Sequence, residues 1–248
     1  MPPEIRRYPT LQAVSAAAAD FVCQLAAACV RKRALFTLAL AGGNTPRPLY
    51  ASFARMPYAN ALPWMQTHVF WGDERYVPAE HPDSNFALAA QTFIRQVPIP
   101  AQHVHRIPTE LASPEAAAEL YEHRLHSLFK SFGALSESGD WPVFDLILLG
   151  LGPDGHAASL FPNSPVLREQ TRWAAATPAP KLAPPVRRIT LTLPVINAAR
   201  NVMFLVAGAE KQPIVQAILA TPAQAQKYPA ARVAPQGKLF WFLALERA

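Results

Sequence analysis

The apolar run Phe144 to Leu149 gives way to Gly150, Gly152 and Gly155 and then presents a single imidazole, His156. Imidazole is the side chain whose protonation changes near neutral pH, which suits it to general-base work. Asp154, two residues earlier, is placed to orient that ring or a water molecule. Ligands of open α/β sheets bind beyond the carboxyl ends of the strands, and His156 falls at such an end. A histidine satisfied by hydrogen bonds within its own loop would show the same local sequence. Gly150 to Gly155 also fits G-x-G-x-x-G, but a dinucleotide fingerprint needs a helix directly after it and an acidic residue about 20 positions on. Pro153 stiffens the loop, and Trp173 to Thr177 carries no carboxylate. The segment therefore does not favour a nucleotide.

Three further segments place polar residues where strands end. Gly42, Gly43, Asn44 and Thr45 follow an apolar strand and precede Pro46, which opens a helix. Glycines admit close backbone approach, and free N–H groups at a helix start favour an anion, so this turn is a candidate phosphate cradle. It lacks the lysine of a nucleoside-triphosphate P-loop. Taken alone it is equally a tight turn capped by threonine. Gly72-Asp73-Glu74-Arg75 brings two carboxylates and a guanidinium to a strand end. Arg75 there could clamp a phosphate bidentately, or the group could be a surface ion-pair set of little energetic worth. Gly208 to Lys211 adds a cation after another apolar strand, where a solvated lysine is the plain alternative.

The elements that must position these residues follow from periodicity. Thr10 to Arg33 repeats apolar residues at helical spacing, and Ser84 and Ser113 stand at helix starts leading to about Ile94 and Phe132. Strands are expected at 34–40, 67–71, 144–149, 188–193, 202–207 and 238–243. Helices alternate with these strands, which predicts an α/β fold: one domain over 1–248, a doubly wound, mainly parallel sheet flanked by helices. At 248 residues and 51% hydrophobic content the chain is long enough to bury a sizeable core. Cys23 and Cys29 point to different helix faces and suit reduced structural roles. No apolar run approaches the ~18 residues of a membrane span, and the N-terminus lacks signal-peptide order, so a cytoplasmic protein without a membrane partner is expected. The net charge of +6 is dispersed in twos and threes such as Arg31 to Arg33. It fits a small phosphate ester more simply than nucleic acid. His103, His105, His123 and His126 read as surface or packing residues without a metal-ligand pattern, so neither metal nor cofactor is expected. No G-x-S-x-G elbow is present, which leaves Ser159 a packing or loop residue.

Together the four segments resemble the 6-phosphogluconolactonases, within the broader sugar-phosphate group that includes glucosamine-6-phosphate deaminase. The resemblance rests on Gly42 to Pro46, Gly72 to Arg75, His81 to Asn85, which approximates the family's Asp-x-x-Ser-Asn, Gly150 to Pro162, Arg188 to Pro194 and Gly208 to Lys211. Asn44 stands where the family has serine, and Ala157 where threonine is common. Arg75 and Asp154 separate the chain from the deaminases, which resemble Asp-Glu-Tyr and Asn-Gly-His at these points. The resemblance implies a Rossmann-like fold of the sugar-phosphate isomerase type. It also implies hydrolysis of 6-phospho-D-glucono-1,5-lactone to 6-phosphogluconate, with His156 and Asp154 catalytic. Gly42, Gly43, Asn44, Thr45, Asp73, Arg75, Arg188 and Lys211 would hold this sugar-phosphate lactone.

Overall fold

A site at strand ends needs strands that end together, and the computed structural model, in which residues 2–220, 225 and 227–245 are described, supplies them. Its strands are β1 (Glu4–Arg7), β2 (Phe36–Leu40), β3 (Thr67–Trp71), β4 (Asp73–Arg75), β5 (Val104–His105), β6 (Leu146–Leu149), β7 (Ala174–Thr177), β8 (Arg188–Leu191), β9 (Asn201–Ala207) and β10 (Lys238–Ala244). The helices are α1 (Leu11–Arg33), α2 (Arg47–Phe53), α3 (Tyr58–Ala61), α4 (Asn85–Thr92), α5 (Pro114–Ser131), α6 (Leu193–Ala198) and α7 (Gln212–Ala220).

Among the described residues, seven strands form one sheet in the order β1-β10-β9-β6-β2-β3-β5, and every neighbouring pair is parallel. The central strands β2 and β6 are buried along their whole length, as expected for strands covered on both faces. From β2 the chain runs outward through β3 to β5, then returns to β6 on the other side of β2. This reversal of direction between β2 and β6 is a topological switch point, where a crevice opens at the carboxyl ends. Gly42 to Thr45 follow β2 and Gly150 to His156 follow β6, so the switch point lies between two of the four candidate loops.

Gly72 to Arg75 is not the open loop expected from its sequence. Gly72 still donates its N–H to Leu40 O at 2.9 Å, but the next three residues leave the large sheet and form β4. There they pair antiparallel with β8, which pairs in turn with β7. The transfer carries Asp73 and Arg75 into a second, smaller sheet. A second correction concerns the N-terminus, where β1 precedes the strand expected to be first and pairs with β10 along the sheet edge.

Helix α1 begins where Thr10 accepts a hydrogen bond from the Ala13 N–H at 3.1 Å and ends where Ala34 turns left-handed at φ 55°. By length and composition it is apolar enough to cross a bilayer, which corrects the expectation that no segment is. Half of its apolar residues are alanine, and Gln12, Ser15, Asp20 and Gln24 interrupt them. In this fold Val14, Ala18, Val22 and Ala26 are buried against the core, and Phe21 packs edge-on against Phe240 of β10 at 4.7 Å. At its end Arg33 pairs with Asp145, whose other oxygen accepts the Thr37 N–H at 3.0 Å. Asp145 precedes β6, so this buried carboxylate ties the sheet at the end opposite the candidate loops.

The histidines of the β3–β5 edge are packing residues. His68 stacks on His103 at 3.8 Å, and its Nδ1 shares a hydrogen bond with His105 Nε2 at 2.9 Å. Burial, reinforced by neighbouring imidazoles, lowers His68 from 6.5 to about 4 and His105 from 6.5 to about 3. Because the folded state holds both rings neutral, their contribution to stability is present above pH 6.5 and is lost as pH falls toward these lowered values. The urea midpoint is therefore expected to fall between pH 6.5 and 4, and to fall less in His105→Phe. An identical acid slope in the two proteins would remove this edge as its source.

Candidate active site

One cleft of about 230 Å³ lies over the switch point, and its wall includes every binding candidate named from the sequence together with His156. Gly42, Gly43, Asn44 and Thr45 come from the β2–α2 turn, Asp73 and Arg75 from β4, Arg188 from β8, and Lys211 from the turn after β9. Gly43 has φ 88°, a left-handed conformation that glycine adopts freely. Gly208, at φ 107°, turns the chain out of β9 toward Lys211. Asp154 stands behind His156 rather than on the cleft wall.

His156 Nδ1 and Asp154 Oδ1 are 2.6 Å apart, and the same oxygen accepts the His156 backbone N–H at 3.1 Å. Of the two roles open to Asp154, the geometry matches holding the imidazole. Partial burial pushes the Asp154 carboxyl upward, but the hydrogen bonds and charge of His156 outweigh this and hold it below its ordinary range. With Nδ1 engaged, Nε2 is the ring nitrogen without a hydrogen bond to a described residue. Phe161 packs beside the ring at 4.4 Å. A Cβ at Gly152 would overlap the His156 imidazole, so this glycine is required by the position of the ring. Gly152→Ala is expected to keep the fold but displace the ring, with a loss of turnover of ~10²-fold for a misplaced catalytic group. Wild-type kcat in that variant would show that the ring position has no bearing on turnover.

Electrostatically the cleft is dominated by cations. Arg75 and Arg188 are directly opposed partners in the β4–β8 pair, and like charges in that relation are destabilising. Among the described residues neither forms an ion pair. Arg75 Nη1 donates to Asp83 O at 2.6 Å and Arg188 Nη2 to Pro184 O at 3.2 Å. Each guanidinium thus keeps one terminal nitrogen without a described partner. Phe161 supports Arg188 with its ring face at 5.4 Å. Two opposed guanidinia, a lysine and a glycine turn in one cleft are suited to an oxyanion of high charge.

Two residues of the quoted motifs, given no role of their own from sequence, support the site. Glu74, with 2% exposure, accepts hydrogen bonds from the Asn85 and Phe86 N–H groups at 2.7 Å each and from Ser84 Oγ at 3.1 Å. It therefore caps α4 and anchors β4 to it, while burial pushes its carboxyl up to about 7. Asn85 lines the cleft. Its Nδ2 donates to Asp73 O at 2.9 Å, and a Cβ at Gly42 would overlap its amide. The Ser84-Asn85 dipeptide was the signal available in the sequence. Ser159 is likewise more than a packing residue: its hydroxyl donates to Asp73 Oδ2 at 2.5 Å.

The fold and cleft define an open-sheet α/β protein with a ligand site at its topological switch point. The model of the glucosamine-6-phosphate isomerases/6-phosphogluconolactonase family matches residues 9–241. A 6-phosphogluconolactonase of Synechocystis sp. is 49% identical over 214 residues, covering 86% of this chain and 84% of that protein. One from Nostoc sp. is 41% identical over 235 residues, covering 95% and 92%. The crystal structure of 6-phosphogluconolactonase from Thermotoga maritima superposes with a TM-score of 0.81 at 30% identity, covering 97% of this chain and 99% of that one. The chain belongs to the glucosamine-6-phosphate isomerase/6-phosphogluconolactonase family.

Proposed function

We propose that this chain hydrolyses 6-phospho-D-glucono-1,5-lactone to 6-phospho-D-gluconate, the lactone-opening step of the oxidative pentose phosphate pathway. The observation that carries this reading is the in-register opposition of Arg75 and Arg188 on the cleft that His156 also lines. One wall thus offers paired cations for a phosphate and another offers a base. In the proposed reaction Gly42 to Thr45, Arg75, Arg188 and Lys211 hold the 6-phosphate, and Asp73 adds a hydrogen-bonding group to the substrate wall. His156 Nε2 takes a proton from water as that water attacks C1. Asp154 holds the Nδ1–H and stabilises the imidazolium that forms, a role a fixed carboxylate fills without itself being protonated. When the tetrahedral intermediate collapses, the bond from C1 to the ring oxygen breaks, and the departing oxygen takes the proton back from His156. No covalent enzyme intermediate is required, and phosphate binding remote from C1 serves to place the reacting carbon.

The test is direct. Purified protein should hydrolyse the phosphorylated lactone well above the spontaneous rate, with activity retained in the presence of a chelator. Turnover equal to the spontaneous rate overturns the proposal, and activity lost to chelator and restored by one divalent metal would overturn its metal-free mechanism.

A further inference from the structure

We propose that Ser159 is a positioning residue that sets the distance between the catalytic imidazole and the cationic clamp, coupling phosphate binding to attack at the lactone carbonyl. This rests on the lactonase function proposed above and assigns a role to a residue outside the binding and catalytic set. Ser159 is fully buried, at 0% exposure, and lies three residues after His156. Its hydroxyl donates to Asp73 Oδ2 at 2.5 Å, within the range of a charge-assisted O–H to carboxylate bond. Its backbone N–H donates to Thr190 Oγ1 at 3.2 Å.

Asp73 and Thr190 are themselves opposed partners in the β4–β8 pair, and Arg75 and Arg188 are the pair two residues further along. Side chains two apart on a strand share a face. Ser159 therefore docks on the face of the ribbon that carries the two arginines, one side-chain repeat, roughly 7 Å, from them. The remainder of the His156 loop is tied elsewhere. Gly152 N–H donates to His156 O at 2.9 Å within the loop, and Ala230 N–H donates to Gly155 O at 2.9 Å from a separate turn. Among the described residues, the two bonds of Ser159 are the hydrogen bonds joining this loop to β4 and β8. The chain folds tightly to deliver them, with Ala158 at φ 48° and a turn closed by Leu160 N–H to Ala157 O at 3.0 Å.

Binding energy at a remote phosphate raises turnover only when it is transmitted as position at the reacting centre. Without the Ser159 bonds the clamp still assembles on β4 and β8, and the His156–Asp154 pair still assembles in its own loop. What is loosened is their separation, which then rests on the packing of Phe161 between the His156 ring and Arg188. A residue serving only the stability of the fold would weaken binding and turnover together.

The experiment measures kcat on the phosphorylated lactone, the dissociation constant for the product 6-phosphogluconate, and Tm, in wild type and Ser159→Ala. The expected result is a tenfold or greater fall in kcat with product affinity within twofold of wild type. If Ser159→Ala does not fold, Thr190→Val removes the acceptor of the Ser159 N–H within a similar volume and is expected to give a smaller split of the same kind. Equal losses of kcat and product affinity overturn the coupling role, and so does unchanged kcat. A wild-type protein that binds 6-phosphogluconate but does not hydrolyse the lactone overturns the lactonase reading and this inference with it. An active wild type with an unsplit loss overturns the inference alone.

Discussion

His156→Ala is expected to lower kcat on 6-phosphogluconolactone by at least ~10²-fold, the ordinary contribution of a positioned general base, while leaving Tm close to wild type. The stability expectation follows from the surroundings of the ring. His156 lies in a cleft wall, its Nδ1 bonded within its own loop to Asp154 at 2.6 Å, and the backbone bonds that shape this loop do not involve the imidazole. KM should change little, because the cations assigned to the phosphate lie on other elements. Asp154→Asn provides the companion measurement. An asparagine can accept from Nδ1–H but has no charge to stabilise the imidazolium, so its loss should fall on kcat and be smaller than that of His156→Ala. Near-normal turnover in His156→Ala would remove the residue from the mechanism. A rise in KM with kcat unchanged would move His156 to the binding wall.

The parts of this fold legible in the sequence are those whose local pattern agrees with their final environment. Strands β2 and β6 are short, mostly apolar runs followed by glycine, and the sheet buries them on both faces; β3, Thr-His-Val-Phe-Trp before Gly72, is buried except at the half-buried His68. Strand β1, Glu-Ile-Arg-Arg, holds one apolar residue and is a strand because it pairs with β10. Strand β4 consists of three charged residues, and only its partner β8, more than a hundred positions away, makes it one. The site divides along the same line. His156, Asp154 and the glycine turns show themselves through chain-local motifs. Ser159 meets Asp73 across 86 positions, and Glu74 acts on a helix start about ten residues downstream through a turn that the sequence leaves unspecified. Supporting residues of this kind acquire their role from tertiary contact. Helix α1 shows the opposite failure, because composition allows it either a bilayer or a sheet as its apolar partner, and the packing of Phe21 on Phe240 identifies the sheet.

The opposed arginines carry the second large effect. Arg75 and Arg188 are opposed in register, neither forms an ion pair among the described residues, and an oxyanion seated between them would relieve that repulsion. Arg75→Ala is expected to lower kcat/KM for the phosphorylated lactone by ~10²-fold or more, since breaking a largely desolvated charge pair costs about 2–5 kcal/mol. Arg75→Lys should also be impaired, because an ammonium point charge does not reproduce the planar fork that reaches both Asp83 O and a ligand. Lys211→Ala should act in the same direction with a smaller loss, its side chain standing on a turn rather than in the paired ribbon. Unphosphorylated gluconolactone is expected to be a poor substrate of the wild type and to lose little in any of the three variants after the spontaneous rate is subtracted. A binding measurement separates charge recognition from damage to the fold. 6-Phosphogluconate at a concentration 100 times its dissociation constant should stabilise the wild type by about 2.7 kcal/mol, and at that same concentration the rise in Tm should be largely absent in Arg75→Ala. Equal losses on the two lactones, with the ligand-induced Tm rise intact, would place Arg75 outside phosphate recognition and leave the cleft without its proposed clamp.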